Sequence, residues 1–551
     1  MEKERYLLIF EVSQKQAYIF KSNKLMNNVR RSAEIAGINN SEIIGNLVRD
    51  ENVAYSKRDN FVSAGGGHTI LEFASEEEAQ NFSYIFSRKI HKMFPDMELF
   101  IKIMPYDHSS NPKENINNLI KELEIKKSLR RLSFHKGNFG IEKSLEAIQE
   151  DDEEIKAAKR SILKRNAEVD DTLFDDTYNV VKEFRNLGGS YGDNNYIAVV
   201  HIDGNGMGNR VNEFYDACMK EKLSWEAFKE RLDVFSEEID KDFKAAFKEM
   251  NAVIGESLEN GTLDQLDLIE NNFPVRRIIS SGDDICFVCD GRIGIEAAVQ
   301  FIKALTRRQN IVDQKRYAAC AGVAIVHAKY PFYRAYQLAE DLCSNAKKVG
   351  AEIFEEVAGN DKKESGACIS AIDWHIEQGE LKDHLEDIRN DYKTLDGNYL
   401  LLRPYIVEVG GKYADQIKNA YSSRNYNIFK QVMKKAKAQE DDYIRGKLKE
   451  MRPYLKQGDA VARAFIGRHK LESAVLEMYS GIFKATDISK IGTGTKLCAE
   501  LFVDGRSVKK SNSDTFAENP YEDKKVKYAT FYDEIEAIDY YIDLEGENYE
   551  D

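Results

Sequence analysis

The sequence predicts an α+β fold built from two copies of one ferredoxin-like unit, followed by a mainly helical segment. Three observations lead there. Residues 5–105 run strand, helix, strand, strand, helix, strand. The same order returns over residues 195–377, visible as pattern more than as identity. At 551 residues the chain also exceeds what one hydrophobic core fills. The implied division is a first unit at 1–108, a helical linker at 109–192, a second unit at 193–378, and a helical segment with an acidic tail at 379–551.

The elements follow in order. "RYLLIF" (5–10) reads as a strand and "QAYIFKSNKLMNNVRRSAEIAGI" (16–38) as a helix. "FVSAGGGHTILEF" (61–73) is a strand, a glycine-rich turn and a strand. "SEEEAQNFSYIFSRKIHKMF" (75–94) is a helix that Ser75 caps, with acids in its first turn where the helix dipole favours them. "MELFIKIMPY" (97–106) closes the unit. The linker is charged. Its basic stretch "KKSLRRLSFHKG" (126–137) and acidic run "EDDEE" (150–154) read as solvated helical faces. In the second unit, "NYIAVVHID" (195–203) is a strand, and a helical stretch spans about 211–255. "RRIISSGDDICFVCD" (276–290) is a hairpin whose tip carries two aspartates. "GIEAAVQFIKALTRR" is a helix and "RYAACAGVAIVHAKY" a strand. "PFYRAYQLAEDLCSNAKKVG" (331–350) opens with proline and closes with glycine, as a helix does. "ACISAIDWHI" is the last strand. The tail "FYDEIEAIDYYIDLEGENYED" (531–551) has no lysine or arginine. It suits disorder and docking on a basic surface equally.

Bulk properties narrow the function. A net charge of −15 disfavours unaided capture of nucleic acid. No long apolar run announces a signal peptide or membrane span, and seven scattered cysteines suit a reducing cytoplasm. Cys286 and Cys289 are an odd distance apart in a strand, so they point to opposite faces as core thiols.

The chemistry concentrates in the second unit. Asp203 ends its first strand, with Gly204, Gly206 and Gly208 following at alternate positions. Glycines there admit a phosphate close to the backbone, and the next helix offers free amides. The hairpin carries Ser281, Gly282, Asp283 and Asp284. Adjacent like charges repel unless a cation sits with them. In a ferredoxin-like sheet the first strand neighbours this hairpin, which would bring Asp203 beside Asp283 and Asp284. Three such carboxylates suit Mg²⁺ or Mn²⁺, which assist phosphoryl transfer.

These stretches resemble the large, polymerase-like subunit of type III CRISPR effector complexes (CRISPR-associated protein ten, Cmr-type). "NYIAVVHIDGNGMG" resembles the family's D-G-D-x-M-G segment and "SGDDICFV" its G-G-D-D hairpin. "CAGVAIVHAKYPFYRAYQLAEDLCSNAKK" and "AIDWHI" resemble the strands and helix that complete its second palm domain. "EVSQKQAYIFKSNKLMNNVRRSAEI" and "SAGGGHTILEF" resemble its first palm. The match covers roughly residues 5–105 and 195–377.

The resemblance implies a Mg²⁺-dependent nucleotidyltransferase that joins ATP into cyclic oligoadenylates. Asp203, Asp283 and Asp284 would be its catalytic, metal-binding carboxylates. Lys347 would hold a nucleotide triphosphate; otherwise it is a lysine near a helix end. Nucleotide contact would also involve Gly204, Gly206, Gly208, Ser281 and Gly282, and the first unit's Gly65, Gly66 and Gly67. His327 and Lys329 read as structural. Implied partners are CRISPR effector subunits with guide and target RNA, or none for a free-standing enzyme, without a membrane. The departures are Ser281 for the first glycine of G-G-D-D, Asn205 for the second acid of D-G-D, and Glu11 for an aspartate in the first palm. No histidine precedes an aspartate, so the HD nuclease motif is missing, as are the zinc-binding cysteines between the palms. Two other readings stand: a scaffold subunit of an RNA-guided complex with its catalysis retired, and a free-standing cyclase of the GGDEF type.

Overall fold

The structure is a computed structural model. It describes residues 5–545 apart from 50–52, 54, 66, 108–110, 130–152, 175, 189–193, 360–365, 380–381, 383, 440–441, 480–500 and 505–526. Gly66, most of the basic stretch 126–137 and the start of the acidic run 150–154 lie outside the described residues.

The first unit holds strands β1 (Arg5–Val12), β2 (Phe61–Gly65), β3 (His68–Phe73) and β4 (Leu99–Tyr106). They pair in the order β2-β3-β1-β4, every neighbour antiparallel. This is the ferredoxin-like arrangement. Helices α1 (Leu25–Ile38), α2 (Ser41–Val48) and α3 (Glu76–Met93) cover one face. The long helix expected over 16–38 is broken into a turn at Lys15–Ile19 and α1. Asn23, in the break, accepts a hydrogen bond from the backbone N–H of Phe332, so the interruption serves a contact with the second unit. Ser75 caps α3 as expected, accepting from the Glu78 N–H.

Outside those basic and acidic runs the linker contributes to the core. Helix α4 (Pro112–Ser128) buries Ile116, Leu119 and Leu123. Helix α5 (Glu153–Leu173) places Ile162 where a Cβ at Gly37 of α1 would fall 2.7 Å away. Farther along α5, buried Asp170 accepts from Arg276 at 2.9 Å and from Arg277 at 2.8 Å. One helix thus braces the first unit and the hairpin strand of the second.

The second unit holds β5 (Tyr196–Gly204), β6 (Val275–Ser281), β7 (Asp284–Asp290), β8 (Ala319–His327), β9 (Ile369–Ile376) and β10 (Tyr405–Val409), ordered β10-β9-β8-β5-β7-β6. The four strands β6-β7-β5-β8 repeat the first unit's order. Helix α9 (Phe332–Ala358) then crosses to β9, parallel to β8. Both faces are covered, so β5 reads as a continuous apolar run. Cys286 and Cys289 fall into different cores on its two sides, as their spacing predicts.

Three expectations need correction. The stretch 211–255 is two helices, α6 (Met207–Lys220) and α7 (Trp225–Glu259); Lys222 turns at φ 53° and Ser224 caps α7. Helix α9 runs past Gly350 to Ala358 and ends at Gly359, whose φ is 62°. After residue 378 the chain is not only helical, because β10 extends the second sheet.

The acidic segment docks within the chain over its described part, 531–545. Asp533 and Glu536, on α11 (Tyr532–Ala537), bind the fully buried Arg403 at 3.1 and 2.6 Å. Asp543 and Glu545 bind Lys430 of α10 (Tyr426–Lys437), and Glu545 also takes Lys303 of α8 (Gly294–Thr306). The basic surface it docks on belongs to this chain. Among the described residues no helix is long and apolar enough to cross a membrane.

Candidate active site

β5 and β7 pair so that Asp203 stands directly opposite Asp284. Both side chains leave the same face of the sheet, toward α9. Asp284 is therefore the first residue of a strand rather than part of the hairpin tip. Only Asp283 lies in the turn, next to Gly282 at φ 62°. The Gly282 N–H donates to Asp240 Oδ1 of α7 at 3.3 Å, which anchors the turn.

Helix α9 supplies the rest. Tyr336, Glu340 and Lys347 share one helical face, being four and seven residues apart. Lys347 Nζ donates to Asp203 Oδ2 at 2.6 Å and to the Gly204 carbonyl at 2.9 Å. The first unit reaches the same face: Gln16 Nε2 donates to Glu340 Oε1 at 2.6 Å and to the Tyr336 hydroxyl at 3.3 Å.

Electrostatics follow from this crowding. Burial, then the Asp203 charge, push Asp283 up to about 6 and Asp284 up to about 7. Burial opposes the charge on Lys347, but the adjacent Asp203 raises it overall. Asp203 and Asp284 keep 40% and 43% of their side-chain surface, so the site is open to a ligand.

The glycines divide by role. A Cβ at Gly204 would lie 3.0 Å from the Cβ of Asp283, so its absence lets the turn pack against β5. Gly206 has φ 65° and precedes α6 without a side-chain cap. Gly208 faces open space inside α6, and Ser281 is exposed opposite Asp284. Asn205, where the resemblance expects an acid, donates to the Ile369 carbonyl at 2.7 Å and ties β5 to β9. In the first unit, Gly65 ends β2 with Ser236 of α7 3.9 Å from where its Cβ would be, and Gly67 turns at φ 83° beside Lys15.

Among the described residues no three His, Cys, Asp or Glu side chains form a ready-made metal cage. Lys347 already takes one oxygen of Asp203. The donors nonetheless suit a hard divalent cation. Asp284 Oδ1 is buried without a hydrogen-bond partner, and a second carboxylate stands opposite on the neighbouring strand. Mg²⁺ commonly takes only one or two carboxylates and completes its shell with water and substrate phosphates.

Sequence reasoning named Asp203, Asp283, Asp284 and Lys347, and the fold brings them together. It missed His201, Gln16 and Glu340. Two signals were present: strand alternation puts His201 on the Asp203 face, and helix periodicity puts Glu340 on the Lys347 face.

Solved structures similar to this chain include a Csm1–Csm4 cassette in complex with cA3 (16% identity, TM-score 0.42, 63% of this chain and 54% of that one). Another is the cassette in complex with pppApApA (14% identity, TM-score 0.45, 89% and 67%). A third is the Csm1–Csm4 subcomplex of the type III-A CRISPR-Csm interference complex (14% identity, TM-score 0.42, 86% and 70%). The chain spans 54% and 62% of the length of the matched chains in the cassettes with cA3 and cA4. No curated protein matches it. A family model, however, covers the strands and helices just described, from β5 through Lys347. Residues 196–352 match the family model of the Cas10/Cmr2 second palm domain.

Proposed function

We propose that this protein is a divalent-cation-dependent nucleotidyltransferase of the type III CRISPR large-subunit kind, joining ATP into cyclic oligoadenylates. The observation that carries the reading is the register of Asp203 opposite Asp284, with Asp283 in the adjoining turn and Lys347 bridging to Asp203. Asp203 and Asp284 would hold Mg²⁺ or Mn²⁺, with Asp283 beside them. Bound there, the cation would neutralise charge that develops on the transferring phosphoryl group.

The chain's own residues do the rest. Lys347 has a long, partly exposed side chain and can exchange Asp203 for a triphosphate oxygen. The uncapped start of α6, after Gly206, presents backbone N–H groups to a phosphate. The reaction attaches the 3′-hydroxyl oxygen of one nucleotide to the α-phosphorus of another and releases pyrophosphate. Gln16 of the first unit bonds Tyr336 and Glu340 on α9, the helix whose Lys347 bonds Asp203, so a second nucleotide would approach from the palm–palm boundary. Effector subunits and RNA are the proposed partners. The lysine-rich stretch 429–439 is a poor docking surface for them. Lys430 and Lys434 pair with the acidic segment, and Lys437 donates to the Tyr541 carbonyl.

The test incubates the full chain with each NTP and Mg²⁺, with and without host RNA and effector subunits, and identifies products by mass spectrometry. Oligoadenylates that vanish in Asp284→Ala are expected. Products that persist unchanged in that variant overturn the reading, as does their absence under every condition.

A further inference from the structure

His201 stands two residues before Asp203 on β5, on the same face of the sheet. Register pairs it with Cys286, which places it diagonally from Asp284. Its side chain is only 8% exposed. Its Nδ1 has no hydrogen-bond partner and lies 3.5 Å from Asp284 Oδ1, which also has none. The Tyr336 ring meets the imidazole edge-on, with centroids 5.6 Å apart, and fixes its plane. Two buried polar atoms left unpaired while facing each other are costly unless they share a proton. A neutral imidazole carries its proton on one of two nitrogens, and a carboxylate beside Nδ1 favours the proton there.

We propose that His201 is the positioning residue for Asp284, its Nδ1–H donating to Oδ1 so that Oδ2 is presented to the cation. This rests on Asp284 being a cation ligand, the reading given above. No proton leaves the imidazole during the reaction; His201 acts by orienting its partner. Outer-shell partners of this kind typically change metal affinity about 10- to 100-fold.

Two substitutions separate orientation from mere filling of space. The amide nitrogen of Asn falls near the place of Nδ1, whereas that of Gln falls near Nε2. Both variants are polar and smaller than or similar to His, so folding is checked by thermal unfolding. The measurement is Mn²⁺ binding by electron paramagnetic resonance, without nucleotide, on the full chain. His201→Asn should stay within about threefold of wild type. His201→Gln should bind Mn²⁺ about tenfold more weakly or worse. Placed in an Asp284→Ala background, His201→Gln should have no further effect. Equal affinities for the Asn and Gln variants overturn the positioning role, as does an equal effect of Gln with and without Asp284. Unchanged Mn²⁺ binding in Asp284→Ala alone would instead remove the metal reading beneath it, so the two failures are distinguishable.

Discussion

The two units share one sheet order and differ at one place, the end of the central strand pair. In the second, Asp203 stands opposite Asp284 with Asp283 in the turn. In the first, the same register sets Glu11 opposite His68, with Gly67 in the turn. There Lys127 of α4 bonds both Glu11 oxygens at 3.2 Å, and Lys15 lies 3.9 Å from one of them. Burial pushes His68 down to about 4, so it adds no charge. The first unit answers its single carboxylate with two ammonium groups from its own chain. Among the described residues, the second leaves Asp283 and Asp284 without a lysine or arginine in ion-pair contact. One fold therefore ends one strand pair in a charge matched by its own lysines and the other in carboxylates that are less fully matched.

Removing the open charge should have the largest effect. Asp284→Ala is expected to lower product formation by at least about a thousandfold, since a lost metal ligand removes several kcal/mol of charge stabilisation. Its thermal unfolding midpoint should not fall, because a carboxylate pushed up by burial and by Asp203 relieves repulsion when deleted. Product within a few-fold of wild type would erase the distinction between the two units.

Next comes the turn of the first unit. Gly67 has φ 83°, and a Cβ there would fall 1.3 Å from Lys15 Nζ. Gly67→Val should displace Lys15 and cost roughly 1–3 kcal/mol in urea unfolding. If this unit holds a second nucleotide, product should fall about tenfold or more, since positioning contributes strongly to joining. Mn²⁺ binding at the second unit should stay unchanged. Normal product would make the first unit a purely structural copy.

The pH dependence tests the same contrast. Asp283 at about 6 and Asp284 at about 7 hold protons near neutrality that a cation must displace. Their pKa values are raised, so cation affinity falls as pH drops through 7 toward 6. The rise in unfolding temperature caused by Mg²⁺ should be larger at pH 8 than at pH 6. An equal rise at both would place the cation elsewhere.

The smallest effect is expected from Lys15→Met. Lys15 feels Asp284 only weakly, after burial, Glu11 and Lys127. Mn²⁺ affinity of the second unit should change by less than about threefold. A tenfold change would mean that the two units form one electrostatic site.

Much of this contrast was legible in the sequence, because it rests on strand alternation and on short motifs at strand ends. Placing Asp203 beside the hairpin needed only the order of strands. The register that made Asp284 a strand residue depends on pairing across some 80 residues, which local pattern does not encode. The break at Ser22 and Asn23 was hidden for a related reason: its cause is a hydrogen bond to Phe332. Strand β10 is five residues long and gains its place only from β9. The docking of the acidic segment was illegible because its counter-charges, Arg403, Lys430 and Lys303, are scattered along the chain.

That docking also sets a schedule for synthesis. The N–H of Ile542 bonds the Arg292 carbonyl, and the Leu544 carbonyl accepts from Ser257 Oγ, so α7 and the turn before α8 are fastened by residues made 287 and 250 positions later. The first unit can close as soon as β4 leaves the ribosome, since its sheet lies within residues 5–106. Arg403, which Asp373 already approaches at 3.9 Å, gains its closer carboxylate partners only when Asp533 and Glu536 emerge. A nascent chain thus completes the sheet of its first unit long before it has made the carboxylates that hold Arg403, Lys430 and Lys303.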